Sequence, residues 1–113
     1  MKRTSKHHFR DILDYAEFSV QFIKNMNYEE FANDKKTVFA VVRALEVVGE
    51  ASNRVPQEIK EKYSYLPWNE MRGLRNKIVH NYDDIDYVIV WNVVQNEIPK
   101  LISQIKLIID EIC

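Results

Sequence analysis

The chain has 113 residues, 46% of them hydrophobic and 29% charged, with two glycines and three prolines. That length allows one packed domain, leaves no room for separate catalytic and recognition domains, and the composition favours helix. Sixteen Lys and Arg against 17 Asp and Glu leave a formal net charge of −1, which excludes a global electrostatic footprint for nucleic acid, so any RNA contact has to be local.

The single cysteine, Cys113, has no internal disulfide partner and suits a reducing cytoplasm. The basic start, Met1 to His8, is followed by Arg10, Asp11, Asp14 and Glu17, so no signal-peptide core follows it. No window is long and uncharged enough to span a membrane. A soluble cytoplasmic protein is expected. Phe9, Ile12, Leu13, Ala16, Val20 and Ile23 recur at spacings of three and four, which predicts a first amphipathic helix over about 6–25. His7 and His8 point to different faces and have no Cys or His at ligand spacing nearby, so they read as solvated residues and not as a metal site.

Asn27 begins a short capped helix or turn reaching Asp34. The run 35–54 is rich in β-branched residues, yet Phe39, Val42, Leu45 (or Glu46) and Ala51 keep helical spacing over about five turns, too long for an ordinary strand. Gly49 inside it costs about 1 kcal/mol relative to alanine and suggests close approach of another helix or a ligand. Glu46 and Glu50 lie one turn apart on one face, either as solvated acids or as partners for an arginine elsewhere. Pro56 stops this helix, 57–63 reads as two polar helical turns, and Pro67 starts the next helix. A further helix begins near Asp86, with a bend or fresh start at Pro99, and Ile98, Leu101, Ile102, Ile105, Ile108, Ile109 and Ile112 form the cleanest apolar stripe. The sum is a single all-α domain over 1–113, an up-and-down bundle of four longer helices with short helical connections.

Most of the chemistry sits in Met71-Arg-Gly-Leu-Arg-Asn-Lys-Ile-Val-His-Asn-Tyr-Asp83. On a continuous ideal helix Trp68, Met71, Leu74, Ile78 and Val79 share an apolar sector, and Arg75 and Tyr82 project from it at about 40° and about 20°. A guanidinium turned toward the core needs a carboxylate, a phosphate or a second subunit. His80 would stand about 140° from Arg75, so the helix ends near His80 or two chains combine, and Asn81-Tyr82-Asp83-Asp84 offers a plausible ending. Taken alone, Tyr82 reads as a half-buried aromatic with a bonded hydroxyl, and Arg72, Arg75 and Lys77 as a basic helix end.

No metal-ligand set and no glycine-rich phosphate loop is visible in the sequence, and no cofactor is expected. RNA phosphodiester cleavage needs neither. The 2′-hydroxyl is an internal nucleophile, a histidine can move protons, and an arginine can stabilise the crowded phosphorane. A two-fold dimer with its axis near the motif would gather two His80 and two Arg75 around one cleft, and Asn76 could orient the phosphate or either side chain.

Arg75-Asn76-Lys-Ile-Val-His80-Asn-Tyr82, preceded by Pro67-Trp68 and by Arg43-Ala-Leu-Glu46-Val-Val-Gly49-Glu50-Ala51, resembles the HepT-like toxins of the HEPN superfamily. The resemblance implies an all-helical homodimer acting as a metal-independent endoribonuclease, the toxin of a toxin-antitoxin pair, with an MntA-like nucleotidyltransferase as antitoxin. It implies Arg75 and His80 as catalytic residues, Asn76 as the polar residue beside them, and Tyr82 as the acceptor of AMP groups. Two other readings stand beside it. One is a non-catalytic nucleotide- or partner-binding module serving an adjacent nucleotidyltransferase. The other is a plain helical dimer with Arg75 buried against Glu46 or Glu50.

Overall fold

The computed structural model describes residues 3–112; Cys113 and the first two residues of the basic start lie outside the described residues. In chain order the elements are α1 (Arg3–Phe22), α2 (Tyr28–Ala32), α3 (Lys35–Arg54), α4 (Gln57–Lys62), α5 (Trp68–Arg72), α6 (Leu74–Ile78), β1 (Val79–Asn81), β2 (Asp84–Ile85), α7 (Tyr87–Asn92), a π turn (Val93–Glu97) and α8 (Ile98–Ile112). The all-α bundle expected from composition and periodicity is what forms. None of the described helices is long and apolar enough to cross a membrane.

Helix α1 buries Phe9, Ile12, Leu13 and Ala16 and lies along α3 and α8. Its facing partner α3 buries Val38, Val41, Val42, Leu45 and Val48, and each such aliphatic side chain removed from water contributes about 1.5–3 kcal/mol. Phe39, expected on this stripe, is more than half exposed. Its neighbour Val38 takes the core phase instead, and one residue of offset turns a helix by about 100°. Asn25 adopts a left-handed φ of 65° at the end of α1, a conformation asparagine tolerates better than most residues. A capping box then starts α2: Glu30 N–H donates to Asn27 Oδ1 at 2.8 Å and Asn27 N–H to Glu30 Oε1 at 3.0 Å.

Gly49 lies where α3 meets α5. A Cβ built there would stand 2.8 Å from the carbonyl oxygen of Met71, so the close approach suggested by this glycine is that of a neighbouring helix. Beyond that contact the motif segment departs from a continuous helix. At Gly73 the backbone reaches φ −86°, ψ 1°, the sparsely populated bridge region, and separates α5 from α6. The third long helix of the sequence reading is thus realised as two five-residue pieces.

After Ile78 the chain forms a small antiparallel hairpin in which Asn81 pairs with Asp84 and Val79 with Ile85. Its two-residue turn, Tyr82-Asp83, has no positive φ, so it lacks the primed geometry that matches strand twist. The short strands and the irregular register between Val79 and Asn81 follow from that mismatch. Asp86 N–H closes the base of the hairpin on Ile78 O at 2.8 Å. Further on, the bend expected at Pro99 takes the form of the π turn: the ring would clash with the carbonyl of Gln95 in a regular helix, and one widened turn relieves it.

Candidate active site

Three elements present the motif. From α3, Glu46 projects toward α6, and its Oε2 lies 3.4 Å from Arg75 Nε. Arg43, also on α3, sits 3.9 Å from Glu46 Oε1 and 3.3 Å from Glu50 Oε1. Glu50 is therefore held by Arg43, and Arg75 shares Glu46 with Arg43. These pairs are solvent-facing, with the Glu46 side chain 23% exposed and that of Arg75 60% exposed, so their worth is positional more than energetic, about 0–1 kcal/mol each.

Arg75 does not point into the core. The expectation rested on one unbroken helix from Trp68; the break at Gly73 resets the phase, sending Leu74 and Ile78 inward and Arg75, Asn76 and Lys77 outward. Of the two glutamates offered as partners, Glu46 meets Arg75, and within one copy of the chain the pair lies at the surface. Arg75 and Asn76 instead line a shallow cavity of about 190 Å³, together with Glu46, Gly49, Glu50, Asn53 and Arg72.

His80 lies on β1, where alternation turns Val79 toward the core and His80 toward solvent. Its Nε2 stands 3.6 Å from Asp86 Oδ2. The other oxygen, Asp86 Oδ1, accepts the Ile89 N–H at 3.1 Å and caps α7. One carboxylate thus fixes the start of a helix and faces the imidazole, leaving Nδ1 as the ring nitrogen without that partner. Tyr82 stands on the turn and is 93% exposed. Reading it as half-buried extended the ideal helix past its real end at Ile78. Within the chain, Arg75, Asn76, Glu46 and Glu50 converge on one cavity, and His80 and Tyr82 are not among its lining residues.

Two residues escaped the sequence reading. Asp86 lies three residues before Ile89 and carried a capping signal, but nothing in the spacing tied it to His80. Arg72 was read with the solvated basic helix end, yet it lines the cavity from α5. Among the described residues no group of three or more His, Cys, Asp or Glu side chains is gathered as a metal ion would require.

The family model described as "Ribonuclease HepT-like" matches residues 12–108, a span that includes every residue of the site. The chain belongs to the HepT-like ribonuclease family. Relatives cover it almost end to end. A Methanocaldococcus jannaschii protein named "Putative RNase MJ1216" is 44% identical over 98% of this chain and 92% of its own length. A Thermococcus cleftensis protein named "Probable ribonuclease HepT" is 41% identical over 89% and 92%. A Caldanaerobacter subterraneus protein named "Putative RNase TTE0752" is 37% identical over 96% and 97%. No solved structure gives a significant match. As a HepT-like ribonuclease the chain is an enzyme acting on RNA.

Proposed function

We propose that this HepT-like ribonuclease is the toxin of a toxin-antitoxin pair and cuts RNA internally, without a metal, at a site shared between two copies of the chain. His80 takes the proton of the 2′-hydroxyl as that oxygen bonds to phosphorus, the bond to the 5′-oxygen breaks to leave a cyclic phosphodiester, and the departing 5′-oxygen takes its proton from water. Arg75 holds the scissile phosphate and offsets the charge of the phosphorane, with Asn76 as a neutral donor beside it. The observation that carries the reading is the guanidinium of Arg75, kept at the cavity rim by Glu46 at 3.4 Å and more than half exposed. It is held on one edge and open on the rest, which is what recognition of a phosphate by an arginine fork requires.

A twofold that lays the hairpin of one copy over the α3–α6 cavity of the other brings His80 to Arg75. Neutralisation follows from Tyr82. Its phenolic oxygen attacks the α-phosphorus of ATP held by an MntA-like nucleotidyltransferase, the bond to pyrophosphate breaks, and the phenolic proton leaves to solvent. The 93% exposure of Tyr82 supports such access. The attached anion then repels the RNA phosphate near His80 and Arg75.

The test is the purified His80→Ala chain. Loss of RNA cleavage and of growth arrest, with helicity and assembly unchanged, supports the reading; cleavage at the wild-type rate overturns it. Mass spectrometry of the chain co-expressed with an MntA-like nucleotidyltransferase should find adenylyl groups on Tyr82.

A further inference from the structure

A second depression lies outside the site described above. Between α4 and α5 a cleft of about 310 Å³ is lined by Lys60, Glu61, Trp68, Asn69, Glu70 and Arg72, among others. Its volume reaches the range of small-ligand sites, about 300–1,000 Å³, whereas the 190 Å³ cavity beside Arg75 falls below it. The two depressions share one residue, Arg72. Whatever occupies the larger cleft can therefore continue into the smaller one over a single guanidinium.

The side chains of the cleft are uncommitted. Arg43, Arg75 and Lys77 each have a carboxylate nearby, but among the described residues Lys60 and Arg72 have none within ion-pair distance. Trp68 spends its indole N–H on Tyr63 O at 3.0 Å and sets one edge against Phe9. Its ring also lines the cleft, where Lys60 Nζ lies over it, 5.7 Å from the ring centre. An ammonium resting over an indole marks that face as one a cation reaches, and an aromatic face is also what a base stacks on. Glu61 and Glu70 argue against an inorganic anion as the occupant, since two carboxylates would repel it. They suit the edge of a nucleobase, whose amino and ring N–H groups donate to carboxylate, with Asn69 supplying an amide.

We propose that this cleft is a second RNA subsite, which holds an unpaired nucleotide next to the scissile one, its base against Trp68 and its phosphate on Arg72. The proposal rests on the ribonuclease reading above and adds to it where the strand runs: from α4–α5 across Arg72 to Arg75. It also gives a chain with a net charge of −1 a local footprint for RNA. Lys60, lifted off the ring by the incoming base, is left beside the strand and pairs with its backbone.

The experiment uses the full chain and single-stranded RNA oligonucleotides, with cleavage followed at varied substrate concentration. Binding of a fully 2′-O-methyl strand, which lacks the nucleophile, is read by anisotropy. Trp68→Leu should raise KM and weaken binding about five-fold or more, the loss of one base-aromatic stack, with kcat nearly unchanged. Lys60→Glu should do the same, while Lys100→Glu, an identical charge change on α8 away from the cleft, should not. Should Trp68→Leu fail to fold, Lys60→Glu and its control still decide. Wild-type KM and wild-type binding in Lys60→Glu, in a chain that cleaves RNA, would overturn the subsite and leave the ribonuclease reading standing. A wild-type chain that neither cleaves RNA nor binds the 2′-O-methyl strand would overturn both.

Discussion

Gly49 and Met71 meet backbone to side: the Met71 carbonyl oxygen fills the space that any Cβ at position 49 would need, 2.8 Å away. This contact sets how closely α5 approaches α3, and so where Arg72 and Arg75 stand relative to Glu46 and Glu50. Gly49→Ala would gain about 1 kcal/mol of helix propensity. It would lose more, because the opposing atom is main chain and cannot rotate away; such overpacking costs about 1–3 kcal/mol. Denaturant melts should show net destabilisation, accompanied by loss of cleavage as the rim of the cavity is pushed open.

Arg75→Lys separates charge from geometry. The ion pair with Glu46 is exposed, so stability should change by less than about 1 kcal/mol. The planar fork is lost, however, and turnover should fall by about 10²–10³-fold, the range for removing one donor to a developing anion. Unchanged kcat in Arg75→Lys would show that the guanidinium is not on the phosphate.

Asp86 has two roles that two substitutions pull apart. Asp86→Asn keeps a competent cap for α7 and removes the carboxylate facing His80, so melting should stay near wild type while turnover falls. The loss is bounded by what positioned proton transfer supplies, about 10²–10⁴-fold. Asp86→Ala should show the same fall in turnover and, in addition, about 1 kcal/mol less stability from the lost cap.

Mixing two inactive chains tests the shared site. If Arg75 of one copy works with His80 of the other, a heterodimer of Arg75→Ala and His80→Ala holds one site with both residues intact. Cleavage should reappear after subunit exchange. Continued inactivity in a verified heterodimer would place both residues of each site on the same chain.

At the start of α3, Asp34 is held below the usual carboxylate range, first by the Thr37 hydroxyl on its Oδ2 at 2.8 Å and then by the Thr37 N–H on its Oδ1 at 3.2 Å. A depressed folded value means the unfolded chain takes up a proton first. The stabilisation is therefore complete above the ordinary aspartate range and is lost as pH falls through the lowered value. Asp34→Asn should melt with a shallower dependence on pH between about 5 and about 3. A Tm profile identical to wild type over that window would refute it.

Where local chemistry decides, the structure could be read in the residues. Asp34 before and Pro56 after bound α3 at Lys35 and Arg54, because a cap and a residue without an N–H act within one turn. The isoleucines of α8 likewise declare their face. The motif segment did not yield in this way. A glycine inside an apolar-periodic run costs only about 1 kcal/mol, so Gly73 alone does not announce a break; the contact of Met71 with Gly49, 22 positions earlier in the chain, accompanies it. Once the helix stopped at Ile78, every angle projected beyond it lost meaning, and Tyr82 with it. The link between His80 and Asp86 belongs to a hairpin whose turn carries no glycine, the usual signal of such turns.

Tyr82 touches none of the buried residues that hold the molecule together. A group attached to its hydroxyl therefore enters and leaves without disturbing the balance between folded and unfolded chain. If Tyr82 is the neutralisation site proposed above, marked and unmarked molecules should survive heat and protease alike, so that silencing would leave the lifetime of the chain unchanged.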